Sequence, residues 1–194
     1  MSTKVRILQL NCQKRIEGTQ FLSRKTSNID LFICGLQEPS IKNNASRGLD
    51  KQHKIFFSQA EKCRTMLYCH KNIPLWYLPR YSDRDICSGL WESPEHGKII
   101  VSSVYWDSRI DHLPHKYLEV LDYCKARGIK HLSLMDSNAH HEMYGSADTN
   151  SRGLKIEDLV DEYNIDILNQ GQETTWENKA QKKKEFQEHK LESV

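Results

Sequence analysis

A chain of 194 residues with 38% hydrophobic content can bury one sizeable core, and 5 Phe, 8 Tyr and 4 Trp argue against general disorder. Its formal charge of +2 excludes a strongly basic, nucleic-acid-coating chain, leaving any such binding to a local patch. With a mean hydropathy of -0.71, it contains no run long and apolar enough to span a membrane.

The N-terminus enters Val5–Leu10 with no charged and then apolar leader, so an intracellular protein is expected. Cys12, Cys34, Cys63, Cys69, Cys87 and Cys124 form no CxxC pair and read as reduced, buried small hydrophobes. The nine histidines show no HExxH or finger spacing, which leaves no zinc motif.

In chain order, short apolar runs predict strands at Val5–Leu10, Leu31–Leu36, Lys54–Phe57, Arg64–Cys69, Ile86–Trp91, Ile99–Trp106, His131–Met135 and Ile165–Leu168. Their near-continuous apolar character suits strands covered on both faces. Helices are predicted over Gln20–Thr26, over His115–Arg127 with Gly128 as its cap, and over Ser151–Tyr163. In the second, Leu118, Leu121 and Cys124 share a stripe; in the third, Ile156, Leu159, Val160 and Tyr163 do. Polar stretches at Pro39–Lys51 and Ser93–Lys98 read as exposed loops. The charge-rich segment Lys179–Val194, with Lys182–Lys184 at its centre, reads as a solvated helix or a frayed end. The pattern calls for an α/β (α+β) fold of two packed sheets with helices outside.

Four places can carry chemistry. Asn11 follows the first strand, Glu38 closes the second just before Pro39, and Tyr105 ends Val101–Tyr105. Asp136 and Asn138 lie two residues apart after Ile129–Leu134, so on a strand they face the same way. A carboxylate beside a carboxamide can hold a water or a hard cation. Singly, each has an ordinary reading as a strand-end amide, a rim carboxylate or a packing tyrosine.

Together they form an ordered set: amide, acid, tyrosine, then Asp-x-Asn, each at a strand's C-terminal end. With Leu8–Cys12, Leu36–Pro39, Ser82–Ile86, Ser102–Tyr105 and Asp136–His141, this layout resembles the endonuclease/exonuclease/phosphatase superfamily. The resemblance is nearer to the endonuclease domains of non-LTR retrotransposons, through His140-His141-x-x-Tyr144-Gly145, Asn150-x-Arg152-Gly153, Leu168–Gly171 and Thr174-Thr175-Trp176. It implies a four-layer DNase I-like sandwich of mixed sheets over residues 1–178, lacking its last strands, with 179–194 as a charged tail outside the family pattern.

The resemblance also implies a Mg²⁺-dependent endonuclease that nicks DNA, with Mn²⁺ as a substitute metal, and a reverse transcriptase domain in the parent element. A nuclear location would follow from that role. Glu38 would ligate the metal with Asn11 beside it. Asp136 would prepare the attacking water, Asn138 would hold Asp136 or the phosphate, and Tyr105 would donate to a phosphate oxygen. His140, Arg152 and Arg84 would touch substrate, and Arg47, Arg64 and Arg80 are further candidate phosphate contacts.

Two departures bear on activity. Met135-Asp136-Ser137 stands where the family generally has Gly-Asp-Phe, and its closing Ser-Asp-His is absent. The one Asp-His dipeptide, Asp111-His112, precedes the Asp136 motif and reads as a loop feature. Weak or no nuclease activity is therefore expected. The alternatives are an inactive retroelement remnant that at most binds nucleic acid or protein, and a phosphatase or phosphodiesterase of the same fold.

Overall fold

The computed structural model describes residues 4–168 and 187–190. Its first two strands, β1 (Arg6–Asn11) and β2 (Phe32–Gln37), run parallel and are joined by helix α1 (Ile16–Thr26). A parallel pair needs such a crossover, because a tight turn cannot return the chain to the same end. The helix starts one turn earlier than the predicted Gln20.

The expected loop over Pro39–Lys51 contains a two-stranded ribbon, β3 (Ile41–Lys42) with β4 (Ala45–Ser46). Asn43 and Asn44 form its turn at φ of 51° and 54°, the left-handed region that a two-residue hairpin demands. Next come β5 (Lys54–Phe56), β6 (Thr65–Cys69), β7 (Leu75–Tyr77), β8 (Ile86–Ser93) and β9 (Gly97–Tyr105). Strand β7, three residues long and beginning beside Pro74, carries too little pattern to be predicted.

Helix α2 (His115–Arg127) then leads to β10 (Lys130–Asp136), which pairs parallel with β9. As predicted, α2 ends on Gly128, whose φ of 61° lets its N–H reach back to the Cys124 and Lys125 carbonyls. Helix α3 (Ser151–Tyr163) follows, then β11 (Gln187–Lys190).

The strands form two mixed sheets, ordered β11-β1-β2-β6-β5 and β10-β9-β8-β7. Alternation along each strand sorts the apolar residues into three cores. Ile7, Ile33, Leu67, Cys87, Val101 and Leu134 pack between the sheets. Their neighbours Leu8, Cys34, Met66 and Tyr68 join Leu22 of α1 on the outside of the first sheet. Ile100, Val104 and Ile86 pack with Tyr117, Val120 and Leu121 of α2 and Leu159 of α3 on the outside of the second. The result is the expected order of helix, sheet, sheet, helix. At Gly35 the sheets approach closely, since a Cβ there would lie 2.6 Å from the Leu134 Cβ.

Two expectations are corrected. Ile165–Leu168 is not a strand; it leaves α3 as coil, with the Ile165 N–H bonded to the Val160 carbonyl and Ile165 packed on the outer core. Within the charged segment, residues 187–190 form neither a helix nor a frayed end. They pair antiparallel with β1, Ile7 opposite His189, and so cover that edge of the first sheet. The predicted signals Asn169–Gly171 and Thr174–Trp176 lie outside the described residues. All six cysteines are free and, except for half-buried Cys63, buried as expected.

Candidate active site

Parallel pairing brings the predicted residues together. In a β-α-β unit both strands end on the same side of the sheet, and here two such units face each other. Asn11 and Gln37 are partners at the ends of β1 and β2, and Tyr105 and Asp136 are partners at the ends of β9 and β10. All four predicted positions therefore lie on one rim, where open α/β sheets gather their ligands.

Across that rim, Asn11 Nδ2 donates to Asp136 Oδ2 at 2.5 Å, joining the two sheets. The other Asp136 oxygen accepts the Asn138 backbone N–H at 3.4 Å. Asn11 is itself fixed, because its Oδ1 accepts the Gln13 N–H at 2.8 Å. Burial raises the Asp136 carboxyl above its ordinary value, against the opposing pull of the Asn11 bond, and the nearby Glu38 charge pushes the same way as burial. A carboxylate short of water and close to another negative charge is a stronger base.

Glu38 lies one residue past β2 at φ of 46°, a left-handed conformation unusual for a side-chain-bearing residue. Bonds from Glu38 N–H to the Arg64 carbonyl and from Lys14 N–H to the Glu38 carbonyl hold it there. Its carboxylate is partly exposed, and Lys14 Nζ lies 3.2 Å from Oε1. Gln13, Lys14 and Asn138 share the left-handed conformation, so backbone strain gathers around the rim.

Glu38, Asp136 and Asn11 offer hard oxygen donors and no sulfur or imidazole, the chemistry a magnesium ion accepts. The Glu38 carboxylate is paired with the largely exposed Lys14 ammonium, which a metal ion at this oxygen would displace. Among the described residues no three His, Cys, Asp or Glu side chains cluster as a metal cage. Mg²⁺ keeps several waters and often uses only one or two carboxylates, so this sparse donor set fits it.

Tyr105 faces the same acids. Burial raises its phenol above the ordinary value, as do the charges of Glu38, Asp136 and Asp107, so at neutral pH it keeps its proton and can donate. Asn138 Nδ2 donates to the Trp106 carbonyl at 3.0 Å, so its amide braces the loop after β9.

The remaining predicted residues divide. Arg152 is buried, and its guanidinium donates to the carbonyls of Ser137, Asp107, Ile110 and Trp106 while stacking 3.6 Å from the Trp106 ring. Most of its donors are committed to backbone, which corrects its expected contact with substrate. Arg64 is likewise buried, paired to Asp85 and Asp107, rather than a free phosphate contact. Arg84 stays half-exposed beside Asp85. His140 is exposed, with Nδ1 3.0 Å from Asp148. Asp111 pairs with Lys155 at 2.6 Å, while His112 lines a small cavity of about 150 Å³ with Tyr105 and Asp107.

The sequence reading missed Gln37. Buried at the end of β2, its Nε2 donates to Ser103 Oγ at 3.0 Å and to the Leu134 carbonyl at 2.8 Å, a polar staple between the sheets beneath the site. Its signal was an amide in an otherwise apolar run, next to Glu38.

Comparisons with known proteins bear on the fold. Residues 99–186 match the family model described as endonuclease-reverse transcriptase. No curated protein matches. Among solved structures, the endonuclease domain of TRAS1, a telomere-specific non-LTR retrotransposon, superposes with a TM-score of 0.73 at 21% identity, covering 88% of this chain and 77% of that one. Through residues 99–186 the chain is thus similar to the endonuclease-reverse transcriptase family, and its fold is that of a DNase I-like endonuclease domain.

Proposed function

We propose that the chain is a Mg²⁺-dependent phosphodiester hydrolase that nicks DNA, as part of an element that also encodes a reverse transcriptase. The observation that carries this reading is the Asn11–Asp136 bond across the rim, with Glu38 and Tyr105 around it. In-line attack on a phosphodiester builds charge on the equatorial oxygens and requires a water prepared for attack. Asp136, desolvated and held by Asn11, accepts the water proton. Tyr105 donates a hydrogen bond from its hydroxyl to a phosphate oxygen, and Asn138 ties the segment just after Asp136 to the loop after β9. Glu38 and, beside it, Asn11 would hold Mg²⁺, which supplies positive charge to the phosphate when bound. Exposed His140 and Arg84 are the proposed substrate contacts, and Mn²⁺ would serve in place of Mg²⁺.

These 194 residues contain no Ser-Asp-His, so their own rate should be low. The test is nicking of supercoiled plasmid with and without Mg²⁺. Slow nicking that needs Mg²⁺ and falls about 10²–10⁴-fold in Asp136→Ala is expected. Folded protein with no nicking above the Asp136→Ala background would instead favour an inactive remnant.

A further inference from the structure

Beneath Tyr105 lies an ion network that takes no direct part in the proposed hydrolysis. Arg64, just before β6, stacks with its guanidinium carbon 4.8 Å from the centre of the Tyr105 ring. Its Nε donates to Asp85 at 2.5 Å, and one terminal nitrogen donates to Asp107. Asp107 also receives Arg109 at 2.7 Å. Arg64 and Asp107 are nearly sealed from water, with side chains only 8% and 5% exposed.

The backbone ties the same three segments together. Arg64 N–H donates to the Arg84 carbonyl at 2.7 Å, and Tyr105 N–H donates to the Asp85 carbonyl at 2.9 Å. The turn that presents Asp85 is folded by Asp83, whose Oδ1 accepts the N–H groups of Asp85 and Ile86. Arg64 carbonyl in turn accepts the Glu38 N–H. One residue therefore touches the backbone of the proposed metal-binding acid and the ring of the proposed phosphate donor.

A buried arginine with two carboxylates is a weak source of stability, since desolvating the charges consumes most of what their attraction returns. An apolar group would fill the space as well. What an apolar group would not supply is a flat, fixed cation under an aromatic ring, aligned by two carboxylates from different loops.

We propose that Arg64, aligned by Asp85 and Asp107, is a positioning residue that fixes the Tyr105 ring for its contact with the phosphate. The proposal rests on the phosphodiesterase reading above. Arg64 does not reach substrate; it acts through Tyr105. Its charge also opposes the upward push that burial and the neighbouring acids exert on the Tyr105 phenol.

The test is a double-mutant cycle in single-turnover plasmid nicking, using wild type, Arg64→Met, Tyr105→Phe and the double variant, with Asp136→Ala as background. Arg64→Met should slow nicking about 10–100-fold in the wild type, the scale of a misplaced catalytic group, and less than about 3-fold in Tyr105→Phe. Equal losses in both backgrounds, or none in either, would overturn the proposal. Arg64→Lys, which keeps a cation but not the planar fork, should restore folding where Arg64→Met fails while leaving nicking slow; full activity in it would also overturn the proposal.

A second measurement needs no activity. In ¹³C-tyrosine NMR at fixed pH, the signal lost in Tyr105→Phe identifies the ring, and in Arg64→Lys that signal should shift or broaden. An unchanged signal overturns the proposal even where nicking is absent. Absent wild-type nicking with a displaced Tyr105 signal instead counts against the phosphodiesterase reading alone.

Discussion

Asp136 keeps one oxygen on the Asn11 amide and the other on the Asn138 backbone N–H, two bonds that fix its carboxyl at the rim. Removing the Asn11 amide should therefore harm the site without dissolving it. We expect Asn11→Ala to slow Mg²⁺-dependent nicking about 10–100-fold with little change in melting temperature, since Asn11 is only partly buried. A different residue governs acid stability. His131 lies on β10 beside the Ser102 hydroxyl, 3.0 Å from its Nε2, and burial lowers its pKa to about 4 from 6.5. The unfolded chain then binds the proton first. Stability from neutral His131 is complete above about pH 6.5 and is lost as pH falls towards 4. Urea denaturation at pH 7 and pH 5 should show wild type losing more stability than His131→Gln over that step.

At the scale of elements, the start of α3 organises the rim. Asn150-x-Arg152-Gly153 opens α3, and Asn150, Arg152 and Gly153 each touch the loop that carries His140. Asn150 caps the helix through the Gly153 N–H at 2.8 Å and also accepts the His140 N–H at 3.1 Å. Arg152 gathers four carbonyls from the loops after β9 and β10. Gly153 leaves room for the His140 carbonyl, which would lie 1.9 Å from a Cβ. Chemical denaturation should find Asn150→Ala destabilised by about 1 kcal/mol, the value of a cap. Gly153→Ala should lose about 3 kcal/mol or more, because the obstacle is backbone and cannot swing aside. A Gly153→Ala variant as stable as wild type would remove this account of the motif.

At the scale of the molecule, two β-α-β units set the site. Their strands were legible because Val5–Leu10, Leu31–Leu36, Ile99–Trp106 and His131–Met135 are long and apolar, and α2 and α3 were legible from period and from Gly128. Strand β7 and the β3–β4 ribbon were not, since two or three residues carry no period. Asn11, Glu38, Tyr105 and Asp136 could be placed at strand ends from sequence, but their meeting depends on a pairing register that no single segment encodes. Arg64 and Arg152 misled for a related reason: an arginine's sequence gives its charge, and only the fold shows that its partners are Asp85 and Asp107, or four carbonyls. In the proposed function, Glu38 faces a cation while Asp136 serves the water. This division of roles is tested most directly by the Mg²⁺ dependence of nicking in wild type, Glu38→Gln and Asp136→Asn. Glu38→Gln should need at least about 10-fold more Mg²⁺ for half-maximal rate, whereas Asp136→Asn should be slow at every Mg²⁺ concentration. An unchanged Mg²⁺ requirement in Glu38→Gln, or wild-type rates in Asp136→Asn, would contradict the account.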